Sequence, residues 1–278
     1  GEVSVERNHT TDESHQRGNV LITRRANGLT YGAGIEYNTF EGPDKVGRAI
    51  NGLVKLGWVS ADGKTELEAS LSKNLNVEGE GVLTDALLID ATHEVNDTLA
   101  LFASFGVASE AGLGDHSTAA SLGFTLAPWE GGEITAGLVR ADGDGQAGSA
   151  AFVGGRQQFT VSEGMVLTFG MDAQRDLGSG ELPLGASVGN PFIKEAFTSA
   201  SIGLRKTEET WSAGAVLSYT VSEDSRGGSL RTSAVAELTD EWSVGGEALW
   251  GFRNDNGAEE KGLRLRFGAA QRMEDRAL

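Results

Sequence analysis

From one end of this chain to the other, apolar residues return at every second position, and they do so in long runs. Leu99, Leu101, Ala103, Phe105 and Val107 alternate with Ala100, Phe102, Ser104, Gly106 and Ala108. Leu29, Tyr31, Ala33, Ile35 and Tyr37 alternate in the same way with Thr30, Gly32, Gly34, Glu36 and Asn38. Trp211 to Thr220 and Leu263 to Ala270 repeat the pattern, the last with Arg264 and Arg266 on the polar side. Successive side chains of a strand point to opposite faces, so this period is that of a β-strand with one apolar face, and helical spacing hardly occurs. Sixteen such segments are expected, over residues 2–8, 18–26, 29–40, 47–60, 64–73, 82–94, 98–109, 117–127, 132–141, 149–161, 165–176, 197–206, 210–222, 230–238, 242–253 and 261–272. Most run to ~9 to 13 residues, longer than the ~5 to 6 of soluble strands and close to what a tilted strand needs to cross a bilayer. Only the segment around Leu87-Leu88-Ile89 lacks clean alternation.

Alternation alone fits both a sandwich and a membrane barrel, because either has one apolar and one polar face. Turn lengths separate them. Short breaks of turn-forming residues fall at Asn27-Gly28, Ala61 to Gly63, Val95 to Asp97, Pro128 to Gly131, Ser162 to Gly164, Thr207 to Glu209 and Thr239 to Glu241. Longer breaks fall between them, at 9–17, 41–46, 74–81, 110–117, 142–148, 177–196, 223–229 and 254–260. An up-and-down antiparallel transmembrane barrel, with tight turns at one rim and loops at the other, has this rhythm, and an even strand count brings both termini to the short-turn rim. The whole of 1–278 is expected to be one such domain.

Composition narrows the field further. The absence of cysteine rules out disulfides and thiolate metal sites. Hydrophobic residues make up 39%, lean for one large dry core, and 40 glycines without a three-residue period must sit inside regular structure. With 40 acidic residues against 23 basic ones and a formal net charge of -17, binding of nucleic acid through its phosphates is not expected.

The run Asn190-Pro191-Phe192, the stretch Phe197 to Leu204, Trp211-Ser212-Ala213 and the close from Gly262 to Leu278 resemble a bacterial outer-membrane β-barrel. More narrowly, they resemble the barrel segments of very large outer-membrane surface proteins. The resemblance implies an outer-membrane location, the lipid bilayer and the outer-membrane assembly machinery as partners, and no known chemistry. Complete barrels of this kind end in an aromatic residue, whereas this chain ends Asp275-Arg276-Ala277-Leu278. The expectation is therefore a domain excised from a longer chain.

No residue set points to an enzyme. His9, His15, His93 and His116 have no partners at metal-ligand spacing, and Asp115-His116-Ser117 is a catalytic pairing only on paper. Asp142-Gly143-Asp144-Gly145, and Asp255 with Glu259, place oxygen ligands at alternating spacing as calcium loops do, although the same residues are ordinary loop-tip chemistry. Asp142, Asp144, Asp255 and Glu259 are thus candidates for a divalent cation, with Ca2+ the one weighed. If the apolar face meets lipid, Glu36, Lys55, Glu66, Glu68, Asp172, Gln174, Arg205, Glu237, Glu247, Arg264 and Arg266 line a lumen. Acids crowd the longer breaks, so a passive, weakly cation-preferring pore is one expectation. A membrane anchor or scaffold with no transport is the other. Leu122→Arg or Leu265→Arg is expected to be costly, and Gly123→Ser on the opposite face mild.

Overall fold

The computed structural model describes residues 2–8, 13–80, 83–110, 116–143, 146–177, 196–255 and 257–271. Sixteen strands follow one another: β1 (Glu2–Asn8), β2 (Glu13–Ala26), β3 (Leu29–Glu41), β4 (Val46–Val59), β5 (Thr65–Gly79), β6 (Leu83–Asn96), β7 (Leu99–Glu110) and β8 (His116–Leu126). They continue with β9 (Gly132–Gly143), β10 (Gln146–Ser162), β11 (Met165–Asp176), β12 (Phe197–Thr207), β13 (Trp211–Ser222), β14 (Ser225–Glu237), β15 (Trp242–Asp255) and β16 (Ala258–Gln271). Every strand pairs antiparallel with its sequence neighbours, and the sheet closes because β1 also pairs with β16, from Glu2 opposite Gly268 to Asn8 opposite Gly262. Closure removes the unpaired edges that a free sheet would expose, a strict requirement in lipid, where no water satisfies them. β1 starts opposite Asn19, part-way along β2, and runs away from the rim of the short turns, while β16 runs back to it, with Gln271 opposite Trp242.

Local chemistry fixes that rim. Asn27 and Gly28 both have positive φ, 52° and 78°, the pairing of a type I′ hairpin turn between β2 and β3. Gly28 is also sterically confined, since a Cβ there would lie 2.7 Å from the Val59 carbonyl oxygen. In the next turn the Ser60 hydroxyl donates to Asp62 at 2.5 Å, and the backbone amide of Lys64 donates to the same carboxylate at 3.1 Å.

The opposite rim departs from the sequence expectation. β2, β5, β10, β14 and β16 extend well into segments that read as loops, leaving only two residues between β13 and β14 and two between β15 and β16. Those segments are rich in Asp, Asn, Gly and Ser, which is turn chemistry, but above the lipid a strand has no apolar face to display, so hairpins continue without alternation. β6 is irregular for a different reason. Its pairing with β7 shifts register twice, at Leu83/Asp85 and at Glu94/Asn96, and Leu88 sits on the opposite face from Leu87 and Ile89.

The expectation that Gly123→Ser is mild fails. A Cβ at Gly123 would meet the Ala136 carbonyl oxygen at 2.3 Å and the ring of Phe102 at 2.5 Å, and one at Gly137 would meet the Phe152 ring at 2.7 Å. These glycines are seats for phenylalanine rings lying along the neighbouring strands, an arrangement that covers the glycine backbone with aromatic surface. Phe102 and Phe152 stack with centroids 6.2 Å apart, and Phe152 packs with Val139, Ala141 and Ala150 in one apolar cluster.

Candidate functional site: the barrel lumen

Cross-strand register carries one face around the whole barrel, and burial says which face it is. All the buried side chains other than glycine among the described residues, from Glu36, Asn38 and Phe40 on β3 to Leu249 on β15, share one parity. The other parity carries Val20, Ile35, Leu56, Leu101, Leu122, Leu138, Met171, Leu217 and Phe267, all exposed. Large apolar side chains exposed in this number define a surface that meets lipid, and the opposite face is the lumen.

The aromatic residues with a polar handle confirm that direction. All five tryptophans and three tyrosines of the chain lie on the exterior or in a turn, and every one is exposed. Trp58, Trp129, Trp211 and Trp242 lie at the short-turn end; Tyr37, Tyr219 and Trp250 lie towards the other end. Trp211 and Tyr219 share β13, and at ~3.4 Å per residue and ~40° of tilt they stand ~20 Å apart along the barrel axis, close to the ~25 Å apolar band of such barrels. Two girdles of amphipathic rings flanking an apolar band are what a bilayer selects at its two interfaces.

Register places Glu36, Lys55, Glu66, Glu68, Asp172, Gln174, Arg205, Glu237, Glu247, Arg264 and Arg266 on the lumen face. It adds Arg17, Asp90, Arg156, Arg231 and Arg253, which the sequence did not single out. Arg17 lies in a segment read as loop, and Asp90 in the strand without alternation. Arg231 shares its parity with Glu237 but also with the apolar Val235, which blurs the pattern.

Several of these groups are paired. Lys55 reaches Glu68 across β4 and β5, and Arg17 reaches Glu36, whose second oxygen accepts from Asn38 Nδ2 at 2.8 Å. Arg231 stands 3.8 Å from Glu247, and Arg253 3.0 Å from Asp255. Hydroxyls join neighbouring strands between the charges: Ser104 with Ser121 at 2.8 Å, Ser218 with Ser229 at 2.6 Å, and Thr220 donating to Ser199 at 3.0 Å. Charge is not mixed evenly around the wall. Glu66, Glu68, Asp90 and Glu94 on β5 and β6 make an acidic arc, and Arg231, Arg264, Arg266 and Arg17 on β14, β16 and β2 make a basic one interrupted by Glu247 and Glu36.

Along the axis the lumen wall changes character. Towards the short-turn rim, lumen-facing groups such as Lys55, Glu66 and Glu68 keep substantial exposure. Towards the loop rim, Gln174 and Thr220 are 0% exposed, Leu249 1% and Glu36 2%. Neither the amide nitrogen nor the amide oxygen of Gln174 has a hydrogen-bond partner.

The four candidate cation ligands do not form one coordination sphere. Asp142 lies on β9 in register with Thr118 and Ala147, and Asp144 lies outside the described residues. Asp255 faces the lumen beside Arg253, whereas Glu259 faces outward, with Lys261 3.2 Å away. Among the described residues no three His, Cys, Asp or Glu side chains converge as metal ligands. The side chains of His9 and His116 fall outside the description; Thr65 holds His93 Nδ1 at 2.9 Å, and His15 packs on Phe40.

No family model matches the sequence, and no curated protein matches it. Solved structures do match its shape. A bacterial polysaccharide outer membrane secretin superposes with a TM-score of 0.66 at 10% identity over 98% of this chain and 97% of that one. The fold is that of a bacterial outer-membrane β-barrel. The CymD monoaromatic hydrocarbon channel follows at a TM-score of 0.56 and 11% identity, covering 99% of this chain and 88% of that one. OprD of Pseudomonas aeruginosa matches at 0.50 and 11%, over 98% of this chain and 94% of that one. At such identities the likeness is one of fold, and the bilayer environment follows independently from the apolar exterior and its girdles.

Proposed function

We propose that the chain forms a passive pore of the bacterial outer membrane with a weak preference for cations. The observation that carries this reading is the charge-lined lumen wall towards the short-turn rim, with Lys55 and Glu68 exposed there, in a barrel of sixteen strands, the size at which an aqueous channel fits inside. The names of two neighbours, a hydrocarbon channel and a secretin, are consistent with passage through such a barrel. Cation preference comes from the loop rim, where Glu41, Glu78, Glu80, Glu223, Asp224, Asp255 and Glu260 outnumber the nearby cations Lys45, Arg48, Arg226, Arg253 and Lys261. A ring of one sign concentrates counterions over about a Debye length, ~8 to 10 Å at physiological salt. Divalent ions such as Ca2+ gather at that rim as counterions, near Asp142 and Asp255. No residue is assigned a catalytic role, and insertion depends on the outer-membrane assembly machinery.

Planar-bilayer recordings in a salt gradient test this. The expected result is stepwise conductance with a reversal potential on the cation side that shrinks as salt rises. An anion-selective pore refutes the rim mechanism. Absence of steps favours a second reading, an anchor or scaffold for surface or neighbouring domains, which the dry wall around Gln174, Thr220 and Leu249 supports.

A further inference from the structure

The outside of the loop rim is charged in layers. Between the girdles the exterior positions of β4, β9, β11 and β16 carry no charge: Ile50 to Trp58, Ile134 to Leu138, Leu167 to Ala173 and Leu263 to Ala269, taken alternately. Directly beyond that band, the first charged exterior residue is a cation on six strands: Arg48, Lys73, Arg140, Arg175, Arg226 and Lys261. Asp142 and Glu259 follow two residues further out on β9 and β16, and Asp85, the exception on β6, pairs with Lys73 at 2.6 Å. Glu41 ends β3. A chain with a net charge of -17 therefore puts cations at the depth where lipid headgroups begin.

Two of these cations stand together without a partner. Arg140 is in register with Ser149 of β10, and Arg175 with Ala151, so the two arginines flank β10 two strand spacings apart and two residues offset along it, ~12 Å between their Cα atoms, over small side chains. Both are exposed, and neither makes an ion pair with any described residue. An unpaired arginine at a headgroup boundary offers a planar fork of donors that matches phosphate, and two of them over a small-residue floor leave room for one such group.

We propose that Arg140 and Arg175 seat a phosphate of the anionic glycolipid in the outward-facing leaflet. This rests on the membrane reading above, with the short-turn rim on the periplasmic side. The partner is a lipid and not free phosphate, because the seat adjoins the apolar band, so that acyl chains would lie along Leu138, Val153 and Met171.

Native mass spectrometry of the full chain in detergent tests it, with bisphosphorylated lipid A, its dephosphorylated form and inorganic phosphate as probes. Arg140→Gln/Arg175→Gln is compared with Lys64→Gln in a turn at the opposite rim. At roughly fivefold per cation near an anionic surface, the double variant is expected to bind bisphosphorylated lipid A ~30-fold more weakly. Lys64→Gln and the wild-type chain should bind it equally, and the dephosphorylated lipid should not distinguish any of the three. Arg140→Lys/Arg175→Lys, which keeps charge but loses the fork, should fall between. Equal binding by the double variant, or displacement of the lipid by stoichiometric inorganic phosphate, overturns the proposal. Heat-modifiable migration in lipid vesicles separates the two ideas: a wild-type chain that never inserts defeats the membrane reading, and one that inserts without phosphate preference defeats only the seat.

Discussion

Leu122→Arg is expected to destabilise the barrel by ~2 to 4 kcal/mol, while Ser121→Arg, one residue away, costs no more than about 1 kcal/mol. Leu122 lies mid-way along β8 on the exterior, 62% exposed, where a guanidinium would have to enter the apolar band. Ser121 faces the lumen and loses only its hydrogen bond to Ser104, at 2.8 Å. Unfolding by urea in lipid vesicles, followed by gel migration, measures both. Equal costs at the two positions would invert or abolish the assignment of faces.

The second large effect is expected at Arg17. Glu36 is almost fully buried, and its carboxylate is held by Arg17 and by Asn38. Arg17→Leu leaves that carboxylate with the Asn38 amide alone, and stranding one member of a buried pair costs ~3 kcal/mol or more. Arg17→Leu/Glu36→Gln should regain most of the loss, because a neutral amide needs no counter-charge. The cycle is expected to give a coupling of ~1 to 3 kcal/mol. Additive single effects would show that the pair contributes nothing as a unit.

Strand count, closure and the identity of the lipid face were legible because lipid enforces alternation wherever it touches the sheet. β13 shows this best, with Trp211, Ala213, Ala215, Leu217 and Tyr219 all on one side. Outside the lipid that constraint is lifted, and there the sequence reading ran short. Asp255 and Glu259 read as one acidic loop but occupy opposite faces of a continuing hairpin. Arg17 read as loop and is the counter-charge of a buried acid. Inside the lumen, glycines read as tolerant positions, yet Gly123 and Gly137 receive aromatic rings from neighbouring strands, a relation that depends on register and not on local pattern. The unpaired arginines on β9 and β11 were invisible for the same reason, being 35 residues apart in sequence and joined only through β10.

The exclusion of tryptophan from the lumen gives this protein an unusually clean optical property. With all five indoles on the exterior or at a turn, its intrinsic fluorescence reports on the lipid interface and not on the channel interior. Brominated acyl chains should quench the emission in proportion to bromine depth, strongest near the two ester levels, and an aqueous quencher confined to the lumen should leave it nearly untouched. A single indole introduced at a lumen position would then stand apart, as the one emitter that a permeating solute can reach.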